Sequence, residues 1–355
     1  MAVFLSPRAS EGEVRWGIIG CGDVTEKKSG PALQLARRLK LVAVMRRDAA
    51  KAADYAKRHG VPRWYATVEE LLADGEVNAV YLATPPGSHV DLALKVAEAG
   101  LPLYCEKPAA RTAWECAAMA AAFATRRLPL YIAYYRRAYP RYEFLRRCVA
   151  EGRLGSVTRV EYDFRKTSAP RPGEAEIWRL DAKTSGGGLF VDVGSHALDL
   201  IEFVLGAELV VKDAKAQGRP GEVEQAVHVD FAFGSATTSW ASWDFAASDD
   251  RDELVIYGSD VVARCPDCMN GAAVILESPD GSEAVETFDP PAPVQLPLVQ
   301  KVVDALLDGT ECPATPEAST RTSAVIDEAL DCYYKGRGPD GVPFWDRPET
   351  WNVPP

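Results

Sequence analysis

The sequence has no hydrophobic run long enough to form a membrane-spanning helix, and it has no excess of basic residues. A helix that crosses a bilayer needs about 20 consecutive apolar residues, so no membrane partner is expected. The formal net charge is −11 and the isoelectric point is about 5.1, which argues against a nucleic-acid partner. With 47% hydrophobic and 26% charged residues, the 355-residue chain has the composition of a soluble globular protein with two domains or one large one.

Cysteine is too sparse for a disulfide framework, with eight residues that lie mostly in apolar stretches. Cys265 and Cys268 have the C-x-x-C spacing, but no second pair accompanies them and a structural zinc site needs about four ligands. We therefore expect free thiols, no metal site and a reducing, cytoplasmic location. Residues 1–13 lack a long apolar core and include Glu11 and Glu13, which predicts a disordered lead rather than a signal peptide.

The first part of the chain alternates short apolar runs with amphipathic helical patterns. Five runs predict strands, at residues 14–19, 40–45, 79–84, 101–106 and 128–134. Two of the helical patterns, 48–60 and 88–100, end in glycine, which is a helix stop signal. This alternation predicts an α/β fold with a doubly wound parallel sheet, that is, a Rossmann domain over residues 14–134.

After residue 135 the pattern changes to a helical stretch followed by segments in which apolar and polar residues alternate. Segments of this kind, at 156–166, 224–233 and 236–247, predict antiparallel strands with one buried face, and Gly234-Ser235 predicts a hairpin turn. Two helices are predicted near 295–308 and 318–335. Residues 135–335 should therefore form an α+β domain with a large, mostly antiparallel open sheet. Its last helix could pack back on the Rossmann domain, and a tail follows at 336–355.

The alternating strands also bear on assembly. One strand face carries Val227, Val229, Phe231 and Phe233, with Trp240 and Trp243 nearby. These side chains either form an interface between subunits or pack on the helices of their own domain.

A glycine-rich turn follows the first predicted strand. Its pattern is G-x-G-x-x-T, where a dinucleotide-binding fingerprint usually has Gly or Ala in the third place. The first glycine permits a tight turn, the second lets a pyrophosphate approach the backbone, and the next helix offers its N-terminal amides. We therefore assign cofactor binding to Gly20, Gly22, Asp23, Val24 and Thr25, whose hydroxyl would lie near the phosphates.

The second predicted strand ends in Met45-Arg46-Arg47. A site specific for NAD normally has Asp or Glu here, on the ribose hydroxyls. Two guanidinium groups instead suit a 2′-phosphate, which accepts bidentate hydrogen bonds, so Arg46 and Arg47 predict NADP over NAD. Alternatively, both arginines are solvated and Asp48 caps the next helix.

Two further strands end in residues with potential cofactor contacts. Thr84, Pro85 and Pro86 end one of them, because prolines cannot continue a central ladder. Ligands bind at this carboxyl edge in such sheets. His89, shortly after the strand, either contacts the cofactor or caps the next helix.

The next strand ends in Glu106-Lys107-Pro108, at the same edge. A cis Lys-Pro bond, which costs little, would turn Lys107 toward the cleft, where its ammonium group could donate to a substrate oxygen. The alternative is a solvated Lys107 paired with Glu106. Spacing alone does not separate the two.

Histidine is scarce, with only four residues, and one of them follows a run of three glycines. The segment after these glycines is predicted to be a helix, and it carries Asp192, His196 and Asp199. Asp192 and His196 are four residues apart and should share one helical face, where the carboxylate would orient the imidazole. Such a histidine can take a proton from an alcohol while hydride leaves the carbon. His59 and His228 look structural, and no third ligand suggests a metal.

These motifs together resemble the glucose–fructose oxidoreductase / inositol dehydrogenase family, written Gfo/Idh/MocA. The resemblance covers roughly residues 14–335 and rests on "GIIGCGDVT", "ATPPGSH", "EKPAA" and "WRLDAKTSGGGLFVDVGSHALDL". It implies an N-terminal Rossmann domain and a C-terminal open sheet through which subunits form homodimers or homotetramers. Thr25, in place of the third glycine, is a departure from the family pattern.

The resemblance also implies residue roles. Lys107 matches the catalytic lysine of the family, and Asp192 and His196 match its aspartate and its general acid/base. Less tightly, it places four residues at the substrate pocket: Tyr135, Arg136, Trp178 and Arg179.

The expected activity is hydride transfer between NADP(H) and an alcohol or carbonyl carbon of a sugar, a polyol or a related polyhydroxy compound. Two alternative functions are compatible with the same fold. One is a dihydrodiol dehydrogenase or an imine or tetrapyrrole reductase, although His196, where some relatives carry Tyr, favours the sugar and inositol pattern. The other is a cofactor-bound regulator without catalysis, which would be expected to have lost the lysine or the histidine.

Overall fold

The computed structural model describes residues 12–170, 177–234, 236–337 and 343–352. The chain divides into two compact units. Unit 1 contains the described residues up to Ala110 together with Glu115–Ala138 and Pro291–Thr320. Unit 2 contains Arg111–Trp114, Tyr139–Pro290 and the described residues from Arg321 onward. The expected disordered lead falls almost wholly on residues 1–11, outside the described ranges.

Unit 1 is built on a parallel sheet of six strands in the order β3-β2-β1-β4-β5-β6. Buried apolar side chains make up most of its central strands, as expected for a sheet covered on both faces. The strands are β1 (Val14–Ile19), β2 (Leu39–Met45), β3 (Arg63–Tyr65), β4 (Ala79–Leu82), β5 (Leu103–Cys105) and β6 (Leu130–Ile132).

The helices of unit 1 begin and end at recognisable signals. Asp48 caps α3 by accepting a hydrogen bond from the Lys51 amide, and Gly60 ends it in the left-handed conformation. Thr67 and Glu70 form a capping box at the start of α4. The helices are α1 (Asp23–Lys27), α2 (Ser29–Leu35), α3 (Ala49–His59), α4 (Val68–Ala73), α5 (His89–Glu98), α6 (Ala113–Arg126) and α10 (Leu296–Asp308).

Unit 2 contains an eight-stranded sheet in the order β14-β13-β12-β11-β7-β10-β9-β8. Every neighbouring pair is antiparallel except β7 and β10, which run parallel. The strands are β7 (Val157–Arg165), β8 (Val210–Gln217), β9 (Ala226–Phe233), β10 (Ala236–Asp244), β11 (Arg251–Gly258), β12 (Val262–Pro266), β13 (Ala273–Glu277) and β14 (Glu283–Thr287).

The remaining helices are α7 (Pro140–Ala150), α8 (Ala182–Ser185), α9 (Ser195–Leu205) and α11 (Pro316–Tyr334). Single-turn 3₁₀ helices lie at Pro86–Ser88, Tyr135–Ala138, Trp178–Leu180, Phe344–Asp346 and Pro348–Thr350, and a π-helical turn lies at Phe190–Gly194. None of the helices within the described ranges is both long and apolar enough to cross a membrane.

One face of the large sheet forms the core of unit 2. Val227, Val229, Phe231 and Phe233 are all buried. Trp243 is fully buried as well, with its ring 4.7 Å from that of Phe190. Of the two expectations for the apolar strand face, packing within the unit is therefore confirmed.

Trp240, three residues before Trp243, lies on the opposite face of the sheet. Its ring stacks on His228 with the ring centroids 5.9 Å apart. That face otherwise carries ion pairs, such as Arg165 with Asp163 and Arg264 with Glu277.

Candidate functional site

The glycine turn has the geometry that a dinucleotide site requires. Gly20 has φ +93°, and a Cβ atom there would lie 2.6 Å from Cγ2 of Thr84, so only glycine fits. A Cβ on Gly22 would meet nothing closer than 3.9 Å, which leaves its surroundings open. Gly20 follows β1 and Thr84 follows β4, and the strand order reverses between these two strands. Ligands bind at such switch points in open α/β sheets.

The hydroxyl of Thr25 is used inside the turn. Thr25 is fully buried, and its Oγ1 donates to the carbonyl of Gly22 at 2.8 Å. Its own carbonyl accepts from the Tyr55 hydroxyl on α3 at 3.1 Å. The residue in the third place of the motif therefore ties the turn to α1, which begins with Asp23 and Val24, and to α3.

Arg46 and Arg47 follow β2 beside this turn. The Arg46 guanidinium Nη1 donates to the carbonyl of Cys21 at 3.2 Å, and Arg47 is exposed. Asp48 does cap α3, but this cap leaves both guanidinium groups available to an anion. Burial raises the pKa of the Cys21 thiol to about 11, so the thiol is neutral.

The loop after β4 is held by its own side chains. Ser88 Oγ lies 2.9 Å from the Thr84 hydroxyl and from the Pro85 carbonyl, within a turn that starts at Pro86. His89 is the first residue of α5, and its side chain is buried.

The His89 ring connects two strand ends. Its Nε2 lies 2.6 Å from the Thr84 carbonyl and its Nδ1 lies 3.0 Å from the Ala109 carbonyl. Burial lowers the pKa of His89. The ring therefore fixes the loop after β4 to the loop after β5, which contains Lys107.

Glu106 is buried at the end of β5, with 7% of its surface exposed. Its carboxylate accepts from the Tyr81 hydroxyl at 2.5 Å, from Gln295 Nε2 at 2.6 Å and from the Lys107 amide at 3.2 Å. These donors compensate the buried charge. The Lys107–Pro108 peptide bond is cis, and Lys107 itself is half-buried.

Tyr135 and Arg136 lie in the turn after β6, and both are buried. Arg136 Nη1 donates to the Tyr135 hydroxyl at 3.2 Å. In unit 1, the predicted residues after β1, β2, β4, β5 and β6 thus stand at one edge of the sheet, because the carboxyl ends of parallel strands lie together.

Unit 2 brings three of its predicted residues together. Arg179 Nε donates to the Asp192 carboxylate at 2.7 Å, and the Arg179 guanidinium lies 4.3 Å from the Trp178 ring. His196 is 8% exposed, one residue inside α9. The Asp192 carboxylate therefore has a cationic partner that itself lies over an aromatic ring.

The helix predicted to carry Asp192 and His196 differs from the expectation in one respect. Residues Phe190–Gly194 form a π-helical turn, and α9 begins only at Ser195. Asp192 and His196 therefore lie on two different kinds of helical turn. Glycine at position 194 makes room for the Phe190 ring, because a Cβ there would lie 2.4 Å from it.

Two residues of this site were missed at the sequence level. Tyr81 lies inside a buried strand, and Gln295 is 189 residues from Glu106 along the chain. No local pattern marks either of them. Within the described ranges, no group of three or more His, Cys, Asp or Glu side chains is arranged to hold a metal ion, and all eight cysteines, each in a described range, are free thiols.

The residues at the carboxyl edge of the parallel sheet in unit 1 have a chemistry that fits a dinucleotide. The open side of Gly22 leaves room for a pyrophosphate, and Arg46 and Arg47 can meet a phosphate on the adenosine ribose. Lys107 follows β5, which lies on the other side of β4 from β1.

Two family models match the chain. Residues 14–134 match the GFO_IDH_MocA model, described as an oxidoreductase family with an NAD-binding Rossmann fold. Residues 142–264 match the model of the GFO/IDH/MocA C-terminal domain.

Two curated relatives extend over nearly the whole chain. Oxidoreductase P35 of Formosa agariphila is 32% identical over 320 residues, which are 89% of this chain and 98% of the relative. D-xylose 1-dehydrogenase (NADP(+)) 2 of Haloferax volcanii is 28% identical over 90% of this chain and 96% of its own length.

Among solved structures, an aldose–aldose oxidoreductase from Caulobacter crescentus, in complex with glycerol, has the same fold. It superposes with a TM-score of 0.80 at 24% identity and covers 90% of this chain and 96% of its own.

Proposed function

The chain belongs to the Gfo/Idh/MocA oxidoreductase family, and on that premise we propose that it transfers hydride between NADP(H) and an alcohol or carbonyl carbon of a sugar, polyol or related polyhydroxy compound. One observation carries this proposal. The glycine turn, the two arginines and Lys107 follow β1, β2 and β5 of one parallel sheet, so all three stand at its ligand-binding edge.

The cofactor in this proposal is NADP rather than NAD. Gly20 permits the tight turn and Gly22 leaves room for the pyrophosphate, and Arg46 and Arg47 neutralise the 2′-phosphate. The loop at Thr84–Pro86 borders the same crevice, and His89 holds that loop to the segment after Lys107. When bound, the cofactor supplies or accepts the hydride. The NADP dependence named for the relative from Haloferax volcanii supports this preference.

Three side chains carry out the proton chemistry. Lys107 Nζ polarises the substrate oxygen, and a ring nitrogen of His196 takes the proton during oxidation or returns it during reduction. Asp192 orients the imidazole. The ion pair with Arg179 supports this role, because it fixes the position of the Asp192 carboxylate.

The proposed substrate is polyhydroxylated. Arg136, Tyr135, Arg179 and Trp178 combine hydrogen-bond donors with aromatic surfaces, and a site that binds hydroxyl groups in this way rejects analogues that lack them. The xylose activity named for the Haloferax relative is of this class.

We also propose that the enzyme acts in the cytoplasm as a homodimer or homotetramer formed through the large sheet. The eight free thiols suit a reducing compartment. The face that carries Trp240 and His228 is the one available for assembly, because the opposite face forms the core of unit 2.

A substrate panel tests the proposed function. Aldoses, polyols and trans-dihydrodiols are each incubated with the protein and either NADP⁺ or NAD⁺, and the absorbance of the reduced cofactor is followed. We expect turnover of at least one aldose or polyol and a higher kcat/KM for NADP⁺. A preference for dihydrodiols would replace the substrate class, and a clear preference for NAD⁺ would contradict the role of the arginines. Saturable NADPH binding with no turnover would favour a regulator.

A further inference from the structure

The turn at residues 186–188 is anchored at both ends by buried charged side chains. Arg337 Nη1 donates to the Gly186 carbonyl at 2.6 Å. The Gly188 amide donates to both carboxylate oxygens of Glu224, at 2.8 and 2.9 Å. Arg337 and Glu224 are each only 2% exposed. The backbone of this turn is therefore bound by charge-assisted hydrogen bonds away from water.

The turn fits closely into these surroundings. Gly186 has φ +86°, and a Cβ there would lie 2.6 Å from the Arg111 carbonyl. A Cβ on Gly188 would lie 2.7 Å from the Glu224 carbonyl. Larger residues would push the turn off its two anchors.

The anchors are themselves held by the C-terminal part of the chain. Arg337 also donates to Asp327 at 2.8 Å and to the Arg111 carbonyl at 2.9 Å, and its guanidinium lies 4.4 Å from the Phe344 ring. The Tyr334 hydroxyl donates to the Glu224 carboxylate. Burial raises the pKa of Glu224, and the hydrogen bonds from Tyr334 and Gly188 oppose this shift.

The anchored turn leads directly into the segment that contains Asp192 and His196, the residues to which the proposed function assigns the proton chemistry. One residue, Leu189, separates Gly188 from the π-helical turn that contains Asp192, and α9 with His196 follows at once. A displacement of about 1 Å at a catalytic group costs roughly 100-fold in rate. The position of the turn therefore limits how accurately Asp192 and His196 are placed.

Building on the function proposed above, we propose that Glu224 and Arg337 are positioning residues, which fix the Gly186–Gly188 turn and through it the orientation of Asp192 and His196. In this role Tyr334, Arg337 and Phe344, near the C-terminus, help to hold the turn that positions Asp192 and His196.

The test compares Arg337→Gln with Asn352→Gly. Asn352 belongs to the same C-terminal segment, where its Nδ2 donates to the Gly218 carbonyl at 2.6 Å, so its replacement disturbs the segment but not the turn. Three quantities are measured for both variants: hydrogen exchange of peptides covering residues 186–196, the Kd of NADPH, and kcat on the best substrate of the panel. If Arg337→Gln fails to fold, Arg337→Lys takes its place, because lysine keeps the charge but cannot reach three acceptors at once.

We expect the Arg337 variant to exchange about tenfold faster in residues 186–196 and to lose at least about tenfold in kcat. Its NADPH Kd should stay within about twofold of wild type, because the cofactor residues lie in unit 1. Asn352→Gly should leave the exchange and kcat near wild type. Exchange and kcat in the Arg337 variant equal to those of Asn352→Gly would overturn the inference. Absence of wild-type turnover would instead count against the proposed function, and unchanged exchange would then still refute the anchoring.

Discussion

Single residues at the carboxyl edge of the parallel sheet in unit 1 divide into those whose side chains bind the backbone and those whose surroundings are open. The sequence assigns Thr25 to the cofactor and leaves His89 open between a cofactor contact and a helix cap. In the structure their polar atoms contact the carbonyls of Gly22, Thr84 and Ala109. These side chains stabilise the loops that form the site. By contrast, Gly22 has an open side and Arg47 has an exposed charge. At this scale, a motif marks positions at the strand ends but does not say which of their atoms are free to meet a ligand.

Replacement of the proposed catalytic lysine should separate chemistry from binding. Lys107→Met keeps the length of the side chain but removes the ammonium group, so kcat should fall by about 10²–10⁴-fold while the NADPH Kd changes little. Lys95→Met is the matched control, because Lys95 is an exposed lysine on α5 paired with Glu69. Equal rates for the two variants would exclude Lys107 from the reaction.

The imidazole of His196 should be equally necessary. His196→Asn should lower kcat by about 10²-fold or more, because no other group then moves the proton. The control is His228→Asn, since His228 lies on a strand of the same unit and pairs with Asp230. Steady-state kinetics on both variants decide the matter, and a wild-type rate for His196→Asn would reject its role.

The two arginines after β2 should decide the choice of cofactor. Replacing Arg46 and Arg47 with alanine removes charge-assisted bonds to the 2′-phosphate, so KM for NADP⁺ should rise roughly 10- to 100-fold while KM for NAD⁺ stays nearly constant. Lys51→Ala, an exposed cation on α3, serves as the control. A parallel loss with both cofactors would show that the arginines support the fold rather than the phosphate.

At the scale of elements, the sequence predicts what is periodic and misses what is short or distant. The bounds of β1 and the stop of α3 at Gly60 follow from local signals. The three-residue strand β3 carries too little pattern to be recognised. The π-helical turn at Phe190–Gly194 interrupts the regular helical spacing, and residue spacing along the chain does not reveal it.

The link between α1 and α3 should make stability depend on pH. Hydrogen bonds from Arg58, aided by His59, lower the pKa of Glu26 from 4.5 to about 2, although burial opposes them. A carboxyl whose pKa is lower in the folded state stabilises the fold above its unfolded value and loses that effect as the pH falls toward 2.

We therefore expect Glu26→Gln to lower the free energy of unfolding by about 1 kcal/mol at pH 7, since the side chain is 30% exposed. The difference from wild type should shrink as the pH falls from about 5 toward 2. Urea unfolding at several pH values measures it. A difference that stays constant over this range would show that the ion pair is not its source.

At the scale of the whole molecule, the pattern of each half of the sequence predicts the fold class of that half. Alternating strands and helices gave the parallel sheet, and two-residue alternation gave the mostly antiparallel one. Contacts between residues far apart along the chain could not be predicted from the sequence. Gln295 reaches Glu106, and Arg337 reaches the Gly186 carbonyl 151 residues away. Such contacts depend on the assembled fold, because no local preference selects them.

Assembly is expected to use the sheet face opposite the core. Light scattering should give the mass of a dimer or tetramer for the wild type. Trp240→Glu should shift the mass toward a monomer, because a charge replaces an aromatic side chain on that face. Leu35→Glu, at an exposed apolar residue on α2 of unit 1, is the comparison. A monomeric wild type would contradict the proposed assembly.

The most direct test of the central claim follows the hydride itself. A substrate from the panel, deuterated at the carbon that is oxidised, is incubated with NADP⁺ and the protein, and the reduced cofactor is analysed by mass spectrometry and NMR. We predict that the deuterium appears at nicotinamide C4 with the wild type and that its transfer is largely lost with Lys107→Met and His196→Asn, although both variants still bind NADPH. Deuterium released to solvent, or full transfer by either variant, would contradict the account.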